Sequence, residues 1–252
     1  MATSELTFWD HLQELRSRLI KIIIGIIAGA GIAYFFWKEI WAFIAYPLTK
    51  QHLEVDFIAT SPMETLVTSL KMSLISGIIA SLPWTLWQTW RFLAPALYRT
   101  EKRVFILSFL ASIIMFAVGA GFSYYFVLPQ GLAFLATYTD GSISQNWKQA
   151  EFTTFISQFM LAFGVVFELP VGAFVLSKLG LIDARGMWRF FRYAIILIFV
   201  AAALLTPGPD PVSQLLLAVP LCILYLLSIG ICALAKPKAE AIEAAANQGA
   251  EA

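Results

Sequence analysis

Apolar residues run along this chain in long blocks, with polar residues gathered in the short intervals between them. A helix crossing the ~30 Å hydrocarbon core of a bilayer needs about 20 apolar residues. Six stretches qualify as spans: 22–37, 66–90, 104–128, 152–177, 190–205 and 212–235. The third carries no charge; the second carries Lys71 near one end, where a long amine can snorkel to the headgroups. The fourth holds Glu168 deep inside, and the fifth is unbroken in its apolar character only over 193–205, shorter than the bilayer core. Pro83, Pro170 and Pro220 fall inside spans and predict kinks. Gly25 and Gly29 form a small-xxx-small pair that permits close helix packing.

Composition agrees with a membrane protein. Of 252 residues, 60% are hydrophobic and only 13% charged, with a mean hydropathy of +0.78, against about 25% charged in soluble domains. A net charge of +1 leaves no basic footprint for nucleic acid. Cys222 and Cys232 share one apolar segment, and with two histidines they form neither a disulfide framework nor a zinc cluster. The first apolar stretch runs into Phe35, Phe36 and Trp37 instead of small residues, so it reads as a retained span and not a cleaved leader.

Lys and Arg near the span ends set the orientation. One side collects Arg16, Arg18, Lys21, Arg91, Arg99, Lys102, Arg103, Lys178, Arg185, Arg189, Arg192, Lys236 and Lys238; the other collects Lys38, Lys50 and Lys148. Both termini are therefore expected in the cytoplasm, with outer connections at 38–65, 129–151 and 206–211. The expected division is a cytoplasmic amphipathic helix over 1–21, a six-span membrane domain over 22–235, and a disordered polar tail over 236–252.

Several polar residues stand out. In 11–19, His-Leu-Gln-Glu-Leu-Arg-Ser-Arg-Leu, one helix face holds Leu12, Leu15 and Leu19, and the opposite face His11, Glu14 and Arg18. Glu14 and Arg18 are spaced for an i,i+4 ion pair. In 92–103, Phe-Leu-Ala-Pro-Ala-Leu-Tyr-Arg-Thr-Glu-Lys-Arg, Glu101 is the one carboxylate among basic residues, suited also to the first turn of the third span. Both glutamates lie on the same membrane face, where a carboxylate can take a guanidinium in a bidentate pair. An ionised Glu168 at mid-bilayer costs ~2.5–3.5 kcal/mol, so it is expected to be neutral, partnered or near water. Ser157, Gly164 and Gly172 share a stripe with it. Asp210 before Pro211 reads as a helix cap, and Ser61-Pro-Met-Glu64 as a capping box ahead of the second span.

These motifs, taken in order, resemble the TatC family, the multispanning receptor subunit of the twin-arginine protein translocase. The resemblance covers roughly residues 5–235. It rests on the 11–19 stretch, Pro47, Ser61-Pro-Met-Glu64 with Lys71, the 92–103 stretch, Phe163-Gly-Val-Val-Phe-Glu-Leu-Pro170, and the Pro-rich turn ending at Gln214. It implies an all-α, glove-shaped six-helix bundle with both termini inside. It also implies binding of Arg-Arg signal peptides of folded cargo through Glu14 and Glu101, with Arg16, Phe92 and Arg103 in the same motifs. Glu168 matches the family's intramembrane glutamate, and Pro47 and Asp210 its outer-loop residues. Implied partners are single-span subunits of the TatA and TatB type beside the last two spans, with several copies in a hetero-complex. The implied setting is an energy-transducing plasma or inner membrane, with export driven by the proton-motive force and no cofactor or catalysis. Here Gly208 interrupts the family's Pro-Pro before Asp210, and Leu226 follows Tyr225 where a glutamate is common. A proton-coupled small-solute transporter using Glu168 is the alternative from residues alone. It lacks a second deep ionisable residue and paired broken helices.

Overall fold

A computed structural model describes residues 8–50, 55–98, 102–137, 146–205 and 211–235. Its elements are α1 (Phe8–Phe35), α2 (Trp37–Lys50), β1 (Asp56–Ile58), α3 (Glu64–Ala80), α4 (Leu82–Tyr98), α5 (Lys102–Phe122), α6 (Leu128–Thr137), β2 (Asn146–Lys148), α7 (Gln149–Val166), α8 (Leu169–Lys178), α9 (Ala184–Leu205) and α10 (Pro211–Leu234). Five helical stretches are long and apolar enough to cross a membrane: Leu12–Phe35, Val104–Thr137, Gln149–Lys178, Ala184–Leu205 and Pro211–Leu234. The pair Glu64–Ala80 and Leu82–Phe92, bent by 51°, makes the sixth. Each overlaps an expected span, the first starting ten residues earlier and the third ending nine later, and the fold is that of an all-α integral membrane protein.

Prolines set the breaks. Pro83 has no N–H to offer the carbonyl of Ile79, so α3 and α4 separate at Ser81, whose hydroxyl donates to the carbonyl of Ile78 at 3.1 Å. Pro170 likewise deprives Val166, and α7 ends there before α8 resumes at Leu169. Pro129 withholds a donor from Tyr125, and the chain crosses this point in a π-helical turn, Ser123–Val127, joining α5 to α6. Pro220, by contrast, is carried inside an unbroken α10.

α1 is one helix from Phe8 to Phe35, in which the amphipathic stretch runs on into the first span. Two expectations are corrected. The connections at 38–65 and 129–151 are partly helical, and Pro47 lies buried inside α2 instead of in a loop. Ser61 does not cap α3. The N-cap is Met63 without a side-chain bond, the Ser61 carbonyl accepts the Glu64 amide at 3.0 Å, and the Glu64 carboxylate accepts from the Thr60 amide and, at 2.7 Å, its hydroxyl. Both side-chain bonds thus run one way, from Thr60 to Glu64, and the Thr60 hydroxyl does not accept the Glu64 amide as a capping box requires. Two three-residue strands, β1 and β2, pair in parallel, Phe57 opposite Trp147. Asp210 and the 236–252 tail lie outside the described residues.

The chain divides into two compact units, Met1–Ile44 with Ala59–Ile113, and Ala45–Ile58 with Ile114–Ala252. In the first, α1 packs on α3 and α4 through glycines. A Cβ at Gly29 would lie 2.9 Å from the Gly77 carbonyl oxygen, and one at Gly25 would lie 2.5 Å from the Trp84 ring. The Gly25/Gly29 pair is therefore a true packing seam. In the second, Phe155, Phe159 and Phe163, all at most 5% exposed, stack along α7 with centroids 4.5 and 6.3 Å apart. Phe122 closes on Phe163 at 5.9 Å, and the Phe116 ring fills the space a Cβ at Gly164 would need. In the same unit α10 packs against α8 and α9; Tyr225 donates to the Met187 carbonyl at 3.0 Å and Gln214 to the Phe199 carbonyl at 3.0 Å.

Candidate functional site

The first unit joins α1 to α4 through polar contacts that break an otherwise apolar seam. The Trp84 indole N–H donates to the carbonyl of Lys21 at 3.0 Å. One turn further along α4, the Gln88 side-chain oxygen accepts from Nη1 of Arg18 at 3.0 Å. Four residues forward on α4 match three residues back on α1, so the helices run antiparallel. The next step of this register pairs Phe92 on α4 with Leu15 on α1, the neighbour of Glu14 in sequence. Arg18 also donates through Nη2 to Oε1 of Glu14 at 2.9 Å. The expected i,i+4 pair therefore exists, and its guanidinium is tied to a second helix as well.

Burial ranks these groups. Gln88 is 2% exposed; the side chain of Arg18 is 12% exposed and that of Glu14 28%. Nε of Arg18 is buried without a hydrogen-bond partner among the described residues, a cost of ~1–3 kcal/mol that the two Nη contacts and the packing around it must offset. Among the described residues Glu14 is engaged only through Oε1, and its exposed part is open to a further donor. Trp90, 5% exposed, backs this seam with its N–H on the Ser112 hydroxyl at 3.2 Å.

Of the other expected recognition residues, Arg16 is exposed on α1 and Phe92 half-buried on α4. Arg103 lies in the first turn of α5, and Glu101 falls outside the described residues. The contacts thus bring together Glu14, Arg18 and Gln88, with Phe92 one turn beyond Gln88 on α4. Gln88 escaped a reading guided by charge. Its signal is a lone carboxamide in the apolar stretch 82–90, since a buried amide needs partners.

Glu168 occupies the break between α7 and α8, as the residue preceding α8. It is half-buried, with Oε1 enclosed by protein, and its carbonyl accepts the Gly172 amide at 2.9 Å. The stripe around it is not uniform: Ser157 and Gly164 are buried, while a Cβ at Gly172 would meet nothing within 4 Å. Lys71 is exposed on α3.

Comparison with known proteins follows the same lines. Residues 10–220 match the family model described as TatC, Sec-independent protein translocase protein. A Sec-independent protein translocase protein TatC of Koribacter versatilis is 37% identical over 242 residues, covering 94% of this chain and 89% of that protein. The TatC of Helicobacter pylori strain ATCC 700392 / 26695 is 41% identical over 228 residues, covering 90% and 87%. A crystal structure of a twin arginine translocase receptor, TatC, superposes with a TM-score of 0.83 at 40% identity, covering 89% of this chain and 99% of that one.

Proposed function

The chain belongs to the TatC family of Sec-independent protein translocase proteins, and from that premise we propose that it is the subunit that binds Arg-Arg signal peptides of folded cargo. Glu14 and Glu101 each take one guanidinium, with Arg16, Phe92 and Arg103 beside them. Export is driven by the proton-motive force, with single-span TatA- and TatB-type subunits as partners. Both termini lie in the cytoplasm, and Glu168, Pro47 and Asp210 serve the transport cycle at membrane depth and on the outer side.

The observation that supports this reading best is the state of Glu14: held by Arg18 at 2.9 Å through one oxygen, yet 28% exposed on the end of α1 where basic residues gather. A carboxylate fixed in this way presents a planar acceptor edge, which suits a guanidinium fork better than the point charge of a lysine. Losing one such charge-assisted pair costs about 1.5–3 kcal/mol, roughly 10- to 150-fold in affinity. The test is crosslinking of Arg-Arg and Lys-Lys signal peptides to the purified protein, with Glu14→Ala and Glu101→Ala beside the parent. Each substitution is expected to blunt the preference for Arg-Arg. Undiminished preference in both variants refutes the assignment.

A further inference from the structure

Glu14 does not stand alone at the end of α1. Its rotamer is fixed by Arg18, and the rotamer of Arg18 is fixed by Gln88 on α4. Burial falls off along this chain of contacts, from Gln88 at 2% exposed to Arg18 at 12% and Glu14 at 28%. The immobile end is therefore the amide and the accessible end the carboxylate. We infer that Gln88 and Arg18 are positioning residues for signal recognition, a relay that aims the Glu14 carboxylate and makes its choice of cation depend on geometry. The inference rests on the reading of Glu14 as a signal-binding carboxylate.

The chemistry of Gln88 matters here. A carboxamide oxygen accepts from Arg18 without neutralising it, so the guanidinium keeps its full charge for Glu14. A carboxylate at 88 would divide that charge between two acids. Arg18 also sets a limit on the grip. A cation arriving at Glu14 lies beside a resident cation, so it is held only where directional hydrogen bonds outweigh like-charge repulsion. A guanidinium, with its planar fork, meets that condition better than an ammonium. Discrimination between arginine and lysine thus arises from the whole relay, and not from the negative charge of Glu14 alone.

The experiment measures the affinity of purified full-length protein for a fluorescent Arg-Arg signal peptide and its Lys-Lys counterpart. The variants are Gln88→Leu, Gln88→Glu, Arg18→Lys and Glu14→Gln. Gln88→Leu frees the guanidinium and is expected to weaken Arg-Arg binding about 3- to 10-fold while leaving Lys-Lys binding nearly unchanged. Gln88→Glu keeps an acceptor at the same reach while dividing the guanidinium's charge between two acids, and is expected to give a preference between that of Gln88→Leu and that of the parent. Arg18→Lys, which cannot hold both acceptors in fixed planar geometry, is expected to narrow the preference as Gln88→Leu does, and it decides the matter should Gln88→Leu fail to fold. A folded Gln88→Leu protein with the parent preference overturns the relay, as does an equal loss for both peptides. If Glu14→Gln leaves the preference intact, the recognition role of Glu14 itself fails. If Glu14→Gln abolishes it while Gln88→Leu and Arg18→Lys do not, only the relay fails.

Discussion

Gly77 is the tightest point between α1 and α3, and replacing it with alanine tests whether that seam is as close as its geometry states. A Cβ there would lie 2.3 Å from the backbone nitrogen of Ala30, 2.6 Å from its Cα and 2.9 Å from its Cβ. The two nearest atoms are backbone and cannot rotate away, so the helices must part by about 1 Å to reach ordinary contact. Overpacking of this kind costs about 1–3 kcal/mol, while removing a helical glycine returns up to about 1 kcal/mol. With the full return, the net loss expected for Gly77→Ala is up to about 2 kcal/mol. Gly31→Ala is the matched control: it lies in α1, is exposed, and its new Cβ meets nothing within 4 Å. Only the propensity gain applies there, and it cancels between the two, so the variants should differ by the overpacking cost, about 1–3 kcal/mol. At about 2–4 °C per kcal/mol for a chain of this size, thermal unfolding in detergent followed by tryptophan fluorescence resolves the difference. Equal melting temperatures for the two variants would refute the close approach of α1 and α3.

Pro83→Ala supplies the missing amide to the Ile79 carbonyl, so the 51° bend between α3 and α4 should relax. Spin labels at the exposed positions 70 and 91 should then move apart by about 3 Å if the bend closes fully, and an unchanged distance would show that packing, not Pro83, holds the bend. Ser177, 1% exposed, offers its hydroxyl to the carbonyls of Cys232 at 3.3 Å and Ala235 at 3.1 Å. Ser177→Ala should lower stability by about 1 kcal/mol, read as a fall in melting temperature. Glu168→Gln keeps shape and hydrogen-bonding capacity at the enclosed Oε1 and should melt close to the parent, whereas Glu168→Lys should lose about 1–3 kcal/mol; equal melting of the two would deny that site its enclosure.

The spans were legible because each is a block of uniform hydropathy, and the prolines at 83 and 170 mark breaks wherever a helix carbonyl loses its donor. What escaped was long-range or neutral. β1 and β2 are three residues each, too short to carry a period, and they pair across about ninety positions of sequence. Proline also has no single outcome: Pro170 breaks a helix, Pro129 accompanies a π turn, and Pro220 and Pro47 sit inside continuous helices. Position alone does not decide among these, because neighbouring packing determines whether the freed carbonyl bends the helix. At the site, Glu14, Arg16 and Phe92 were readable as charge and motif. Gln88 was not, since an uncharged amide alters hydropathy little and its importance lies in which arginine it meets.

The Glu14–Arg18–Gln88 arrangement also separates recognition from stability, two quantities that an alanine at position 14 would confuse. Glu14→Ala takes away the carboxylate and also strips Nη2 of Arg18 of its acceptor, in a side chain only 12% exposed whose Nε is already buried without a partner among the described residues. A second orphaned donor on a largely buried cation should cost about 1–3 kcal/mol. Glu14→Gln removes the charge but keeps an oxygen within reach of the same Nη2, so most of that cost should be avoided. Both variants are therefore expected to lose the preference for Arg-Arg peptides, and only the alanine variant should show a lowered melting temperature. Equal melting temperatures would mean that Arg18 draws nothing from Glu14, and the buried guanidinium would then owe its place to Gln88 and packing alone.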